Sequence, residues 1–167
     1  WEFIRGQEND HWVTDPSIPP RFPAPEKTKC HFRWAQYMRN TAQWRNADGR
    51  WKDERHTFTA QTFEAAGNWL ARNQGHREKG FFLTIDHFDP HEPFYAPQRF
   101  REAAGVDDSH PILDWPRYDR VVEDAFACTQ MRANYAALVR MCDHYFGELL
   151  DYMDKHAMWD DTALVLT

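Results

Sequence analysis

Hydrophobic residues recur with a regular period in only a few stretches of the chain, and those stretches set the outline of the fold. From Thr57 to about Asn73, the residues Phe63, Ala66 and Leu70 fall on one helical face, and Thr57 or Thr59 is placed to cap the start. Gln74-Gly75 closes this helix, and Arg72 suits the negative end of its dipole. A second, stronger helix is predicted from about Thr129 to His156. There Tyr135, Leu138, Val139, Cys142, Tyr145, Phe146, Leu149, Leu150 and Met153 repeat at i, i+3, i+4 and i+7. Cys142 lies inside that stripe and is expected to be a buried, unreactive thiol, whereas Asp143 and His144 lie off it and should be solvated. Two short apolar runs, Phe81 to Ile85 after Gly80 and Ala163 to Thr167, read as buried-type strands. Helix, strand, loop, helix and strand over residues 57–167 give the rhythm of an α/β protein.

The remainder carries little period. Residues 1–56 hold Pro16, Pro19, Pro20, Pro23 and Pro25, with Trp34, Trp44 and Trp51 in a polar stretch. We expect an irregular wrap over a sheet that other residues help to supply. Tyr95 to about Phe126, interrupted by Pro97, Pro111 and Pro116, reads as an irregular excursion in which His110, Trp115, Arg117 and Tyr118 could face a pocket.

Composition narrows the function classes. The formal net charge is −6 and the basic residues are scattered, which argues against nucleic acid or an anionic membrane as the main partner. No apolar run approaches the ~20 residues of a membrane span. No secretory signal pattern opens the chain, which favours the cytoplasm, and a first residue other than Met suggests a processed or excised sequence. Three cysteines, Cys30, Cys128 and Cys142, without C-x-x-C spacing indicate neither a disulfide framework nor a zinc knuckle. Eight tryptophans suit a binding surface for aryl groups or sugars as well as they suit a core.

The candidate chemistry sits where the first strand ends. Ile85 is followed by Asp86, His87, Phe88, Asp89, Pro90, His91, Glu92, Pro93 and Phe94. Pro90 and Pro93 end any ladder and stiffen the loop, so its ionisable side chains are aimed at low entropic cost. A loop at the carboxyl end of a strand is where open α/β sheets place ligands. A histidine there can donate a proton near neutral pH. Asp86 is placed either to orient His91 or to contact substrate, and Asp89 and Glu92 either bind substrate or tie the loop. His87-x-Asp89-x-His91 also supplies the ligand types of a two-histidine, one-carboxylate iron centre, although Pro90 interrupts the alternation.

The stretch Phe82-Leu83-Thr84-Ile85-Asp86-His87-Phe88-Asp89-Pro90-His91-Glu92-Pro93-Phe94 resembles the middle-region signature of the sulfatase family, within the alkaline phosphatase superfamily. Three further stretches resemble the same family in the right order: Trp1 to Glu8, Tyr135 to Gly147, and Trp159 to Thr167. The resemblance implies a partial alkaline-phosphatase-like α/β sheet flanked by helices, an incomplete domain in which residues 1–167 are the middle part of one catalytic domain. It implies a parent that hydrolyses sulfate esters through a formylglycine, made within a C/S-x-P-x-R motif, and a calcium ion. Cys128-Thr129-Gln130-Met131-Arg132 has the cysteine-to-arginine spacing but Gln130 in place of the proline, so Cys128 reads as structural. The nucleophile is then expected upstream of Trp1 and the metal-binding Asp-His/Asn-Gly beyond Thr167, with no metal ligands in this segment. His91 matches the family histidine that contacts the sulfate near the leaving group. The site residues expected here are His91 as catalytic residue and His91, Asp89 and Asp86 as substrate contacts. The expected partners are a small-molecule or glycan sulfate ester and the rest of the same polypeptide. Phosphomonoester, phosphodiester or phosphonate hydrolysis on the same fold is the alternative, as is a non-catalytic binding module.

Overall fold

The computed structural model describes residues 53–73, 79–92, 94–109, 113, 116 and 120–167. Three helices dominate: α1, Phe58–Asn73; α2, Gln98–Ala103; and α3, Ala125–Lys155. Short 3-10 turns at Glu54–His56 and Met158–Asp160 precede α1 and follow α3. Both α1 and α2 pack on α3, which is therefore the spine of the described part.

Helix α1 begins where Thr57 Oγ1 accepts the backbone N–H of Ala60, so Thr57 is the cap and Thr59 is left for another task. Its buried face is Thr59, Ala60, Ala66 and Leu70, with Phe63 half-buried between two core clusters. The expected stop at Gln74-Gly75 lies outside the described residues.

Helix α3 starts four residues earlier than its hydrophobic stripe suggested. Asp124 is extended, and its carboxylate accepts the Ala127 N–H at 2.8 Å, a side-chain N-cap that a stripe-based reading overlooks. The buried seam is also displaced from the expected one. Gln130, Asn134, Ala137, Leu138, Met141, Tyr145, Leu149 and Met153 are buried, whereas Tyr135 and Val139 are exposed. The seam steps mainly by four residues, because α1 and α2 cover one side of α3 and leave the neighbouring stripe in the open. His144 lies off the seam, as expected, but is only partly solvated. Its side chain is 37% exposed, yet it also packs 5.6 Å from the Phe100 ring and 4.9 Å from Tyr145, with Glu148 Oε1 3.3 Å away.

Helix α2 was not foreseen in the stretch read as irregular. Its punctuation is nevertheless in the sequence. Pro97 opens it, and Gly105 closes it at φ +75°, where Val106 N–H reaches back to the Arg101 carbonyl at 3.0 Å. It buries Phe100 against Ala137, Leu138, Met141 and Tyr145 of α3. His110, Trp115, Arg117 and Tyr118, the expected pocket-facing group, lie outside the described residues. So does the Pro- and Trp-rich wrap up to Lys52.

Neither predicted strand forms a ladder among the described residues. Residues 81–89 nonetheless alternate: Leu83, Ile85, His87 and Asp89 turn inward, while Phe82, Thr84, Asp86 and Phe88 are exposed. A period of two is the signature of an extended chain with one face packed. Leu83 and Ile85 pack on the cluster of Ala66, Leu70, Leu149, Met153 and Met158, so the inner face is held by α1 and α3. The outer face is bare, with Phe82 92% exposed, and in the second run Val165 is 84% exposed. A strand exists only by pairing. Apolar composition sets the extended form, but hydrogen-bond partners on other segments must complete the sheet. The α/β expectation thus rests on the helices and on this packed, extended segment, with the sheet itself unformed among these residues. No helix among the described residues is long and apolar enough to cross a membrane.

Candidate functional site

Gly80, at φ +68°, admits the chain into the extended segment, which carries side chains alternately toward and away from the helices until Asp89. There the chain reverses. His91 N–H donates to the Phe88 carbonyl at 3.3 Å, and the Asp89–Pro90 peptide is cis, placing proline at the third position of a tight turn. Phe88 and His91 flank this turn with their rings 4.4 Å apart.

The turn separates the loop's polar groups into two sets. His87 and Asp89 face the helices. Thr59 Oγ1 on α1 donates to Asp89 Oδ2 at 2.6 Å, and His87 Nε2 lies 3.2 Å from the same hydroxyl. Asp89 and His87 are also within 4.0 Å of one another, each with a side chain only 14% exposed. The Phe63 ring packs 5.2 Å from the His87 ring. Burial holds the His87 imidazole below its ordinary value, and Asp89 and Asp86 only partly offset that, so His87 is neutral near pH 7. Cys142 of α3 borders this cluster. Burial pushes its thiol up to about 12, with the Asp89 charge acting in the same direction, and so makes it an inert packing group. Cys128 is half-buried and its Sγ donates to the Glu123 carbonyl at 3.8 Å, a structural setting.

His91 belongs to the second set. Its side chain is 45% exposed, and Nδ1 donates to the Glu92 carbonyl at 2.8 Å. A carbonyl can only accept, so that bond places a proton on Nδ1. The Glu92 carboxylate is turned inward and buried. Its Oε2 sits 3.5 Å from His91 Nδ1, and its Oε1 has no hydrogen-bond partner among the described residues. Glu92 therefore backs the imidazole from beneath. Asp86 is exposed on the outer face, and its charge is felt by His87.

Of the residues expected at the site, His91 and Asp86 are exposed, whereas Asp89 is directed at Thr59. His87, Asp89 and His91 do not converge as an iron centre requires, since the first two point inward and the third outward. No group of three or more potential metal ligands occurs among the described residues, and those present do not fit a calcium site. The sequence offers Thr59 only as a possible helix cap, because it lies 28 and 30 residues from its partners His87 and Asp89, a separation with no local signature.

The Sulfatase family model matches residues 6–167, and the chain belongs to that family. It is also similar to the multifunctional alkaline phosphatase superfamily protein PehA of Trinickia caryophylli, at 26% identity over 141 residues, covering 66% of this chain. The chain spans about a quarter of the length of that relative, 27%. No solved structure shows a significant match. Membership implies an α/β domain of the alkaline phosphatase superfamily as the setting of the segment.

Proposed function

We propose that the polypeptide carrying this segment hydrolyses a sulfate ester, small-molecule or glycan, and that His91 serves the leaving-group side of the reaction. The observation that carries this reading is the His91 geometry: an imidazole 45% exposed at the carboxyl end of the extended segment, with Nδ1 tied to the Glu92 carbonyl. As the sulfur–oxygen bond breaks, negative charge develops on the leaving oxygen. With both ring nitrogens protonated, Nε2–H donates to that oxygen or to a sulfate oxygen. The segment supplies this donor, the exposed Asp86 is its proposed substrate contact, Asp89 being turned onto Thr59, and residues outside the 167 supply the attacking group. A formylglycine hydrate would provide the nucleophile and calcium would neutralise sulfate charge, both held by the remainder of the polypeptide.

The description of the similar protein as multifunctional favours a second reading on the same fold, hydrolysis of a phosphomonoester, phosphodiester or phosphonate ester. The test is turnover by the complete polypeptide of para-nitrophenyl sulfate, phosphate and phenylphosphonate, with His91→Ala alongside. We expect the variant to lose about 10²- to 10⁴-fold in kcat. Full activity in His91→Ala would remove the assignment, and binding of sulfated sugar without turnover of any ester would favour a non-catalytic module.

A further inference from the structure

We infer that Thr59 is a positioning residue for His91, acting through a directed hydrogen-bond chain from His87 to Thr59 to Asp89; the inference rests on the role proposed for His91. A threonine hydroxyl has one proton. At 2.6 Å that proton goes to the Asp89 carboxylate, which can only accept. The 3.2 Å contact with His87 must then run the other way, with His87 Nε2–H donating to Thr59 Oγ1. The direction of the chain is therefore set by Thr59, with His87 as its Nε2–H tautomer.

This chain controls the turn that presents His91. Asp89 is the second residue of the Phe88–His91 turn, and His87 immediately precedes it. With both side chains anchored to one fully buried hydroxyl on the first turn of α1, the backbone on that side of the turn cannot pivot. His91 is two residues past the anchored Asp89 and makes the closing hydrogen bond of the turn. Phe63 backs His87, and the inert Cys142 thiol borders the cluster from α3, so the anchor is packed on both helices. Thr59 touches no substrate in this scheme. It determines where the imidazole stands when substrate arrives, and an error of about 1 Å in such a placement can cost on the order of 10²-fold in rate.

The test uses the complete polypeptide and whichever para-nitrophenyl ester it turns over. Thr59→Val keeps the shape and removes the hydroxyl, and Thr59→Ser keeps the hydroxyl and removes a methyl. We expect Thr59→Val to lower kcat by about tenfold or more with KM changed far less, and Thr59→Ser to restore kcat to within a few-fold of wild type. Thr59→Ala replaces Thr59→Val should the latter fail to fold, with thermal melting as the check. Equal impairment in the Ser and Val variants would show that packing and not the hydroxyl matters, and would overturn the inference. Normal kcat in Thr59→Val with loss in His91→Ala would overturn it while leaving the His91 role intact. Normal activity in His91→Ala would instead remove the role on which it rests.

Discussion

Glu54 joins three elements, and replacing it with glutamine should expose how the described part is held together. Its carboxylate takes two hydrogen bonds from the Arg99 guanidinium of α2, at 2.7 and 2.6 Å, and one from the Tyr145 hydroxyl of α3 at 3.0 Å. The Arg99 pairing above all holds the Glu54 carboxyl below its ordinary value near 4.5. Arg99 is 47% exposed, so solvent screens the pair, and its share is about 0.2–1 kcal/mol. Tyr145 is nearly fully buried, and weakening its hydroxyl bond adds about 0.5–1.5 kcal/mol. Glutamine still offers one acceptor oxygen, so the total expected for Glu54→Gln at pH 7 is about 1–2 kcal/mol. The measurement is equilibrium urea denaturation of wild type and Glu54→Gln at a series of pH values, with Tyr145→Phe and the double variant completing a cycle. The sign with pH follows from the depressed carboxyl. Its stabilisation is fully present above the ordinary glutamate value and disappears as pH falls through the lowered folded value. The gap between wild type and variant should therefore close in acid, and the double variant should lose less than the sum of the two singles. A gap that stays constant down to the acid limit, or strict additivity, would refute the account.

Two further expectations follow from the packing of α3 and its cysteine. Met141→Ala, inside the buried seam, should cost about 2–5 kcal/mol, and Val139→Ala, on the exposed stripe, below about 1 kcal/mol, measured as shifts in the same urea transition; equal costs would mean that the seam is misplaced. Cys142, with its thiol near 12, should resist iodoacetamide in the folded protein at pH 8 and react once unfolded, read by peptide mapping after a timed pulse.

Much of the helical framework was legible because it is written locally. Phe63, Ala66 and Leu70 share one face in any helix that contains them, so α1 could be placed almost to the residue. The heptad-like stripe located α3, but stripes bleed into their neighbours, and only the positions of α1 and α2 decided that Met141 goes in while Val139 stays out. Helix α2 was missed because six residues carry too little period, although Pro97 and Gly105 marked its ends. The two strands mark the opposite limit. Apolar β-prone residues predicted extended chain, but a ladder needs partners that no local pattern can name.

The sequence alone determined the elements that hydrogen-bond within themselves, the stiff proline-braced loop, and, through its ordered set of resembling segments, membership of the Sulfatase family. These are properties of neighbours in the chain, for which a few residues suffice. Tertiary structure alone decided which way each loop side chain faces. It turned Asp89 and His87 onto a threonine some thirty residues away and left the His91 ring half in solvent. The physical reason is that buried polar groups must find partners wherever the packed helices present them, and that geometry is a property of the assembled fold.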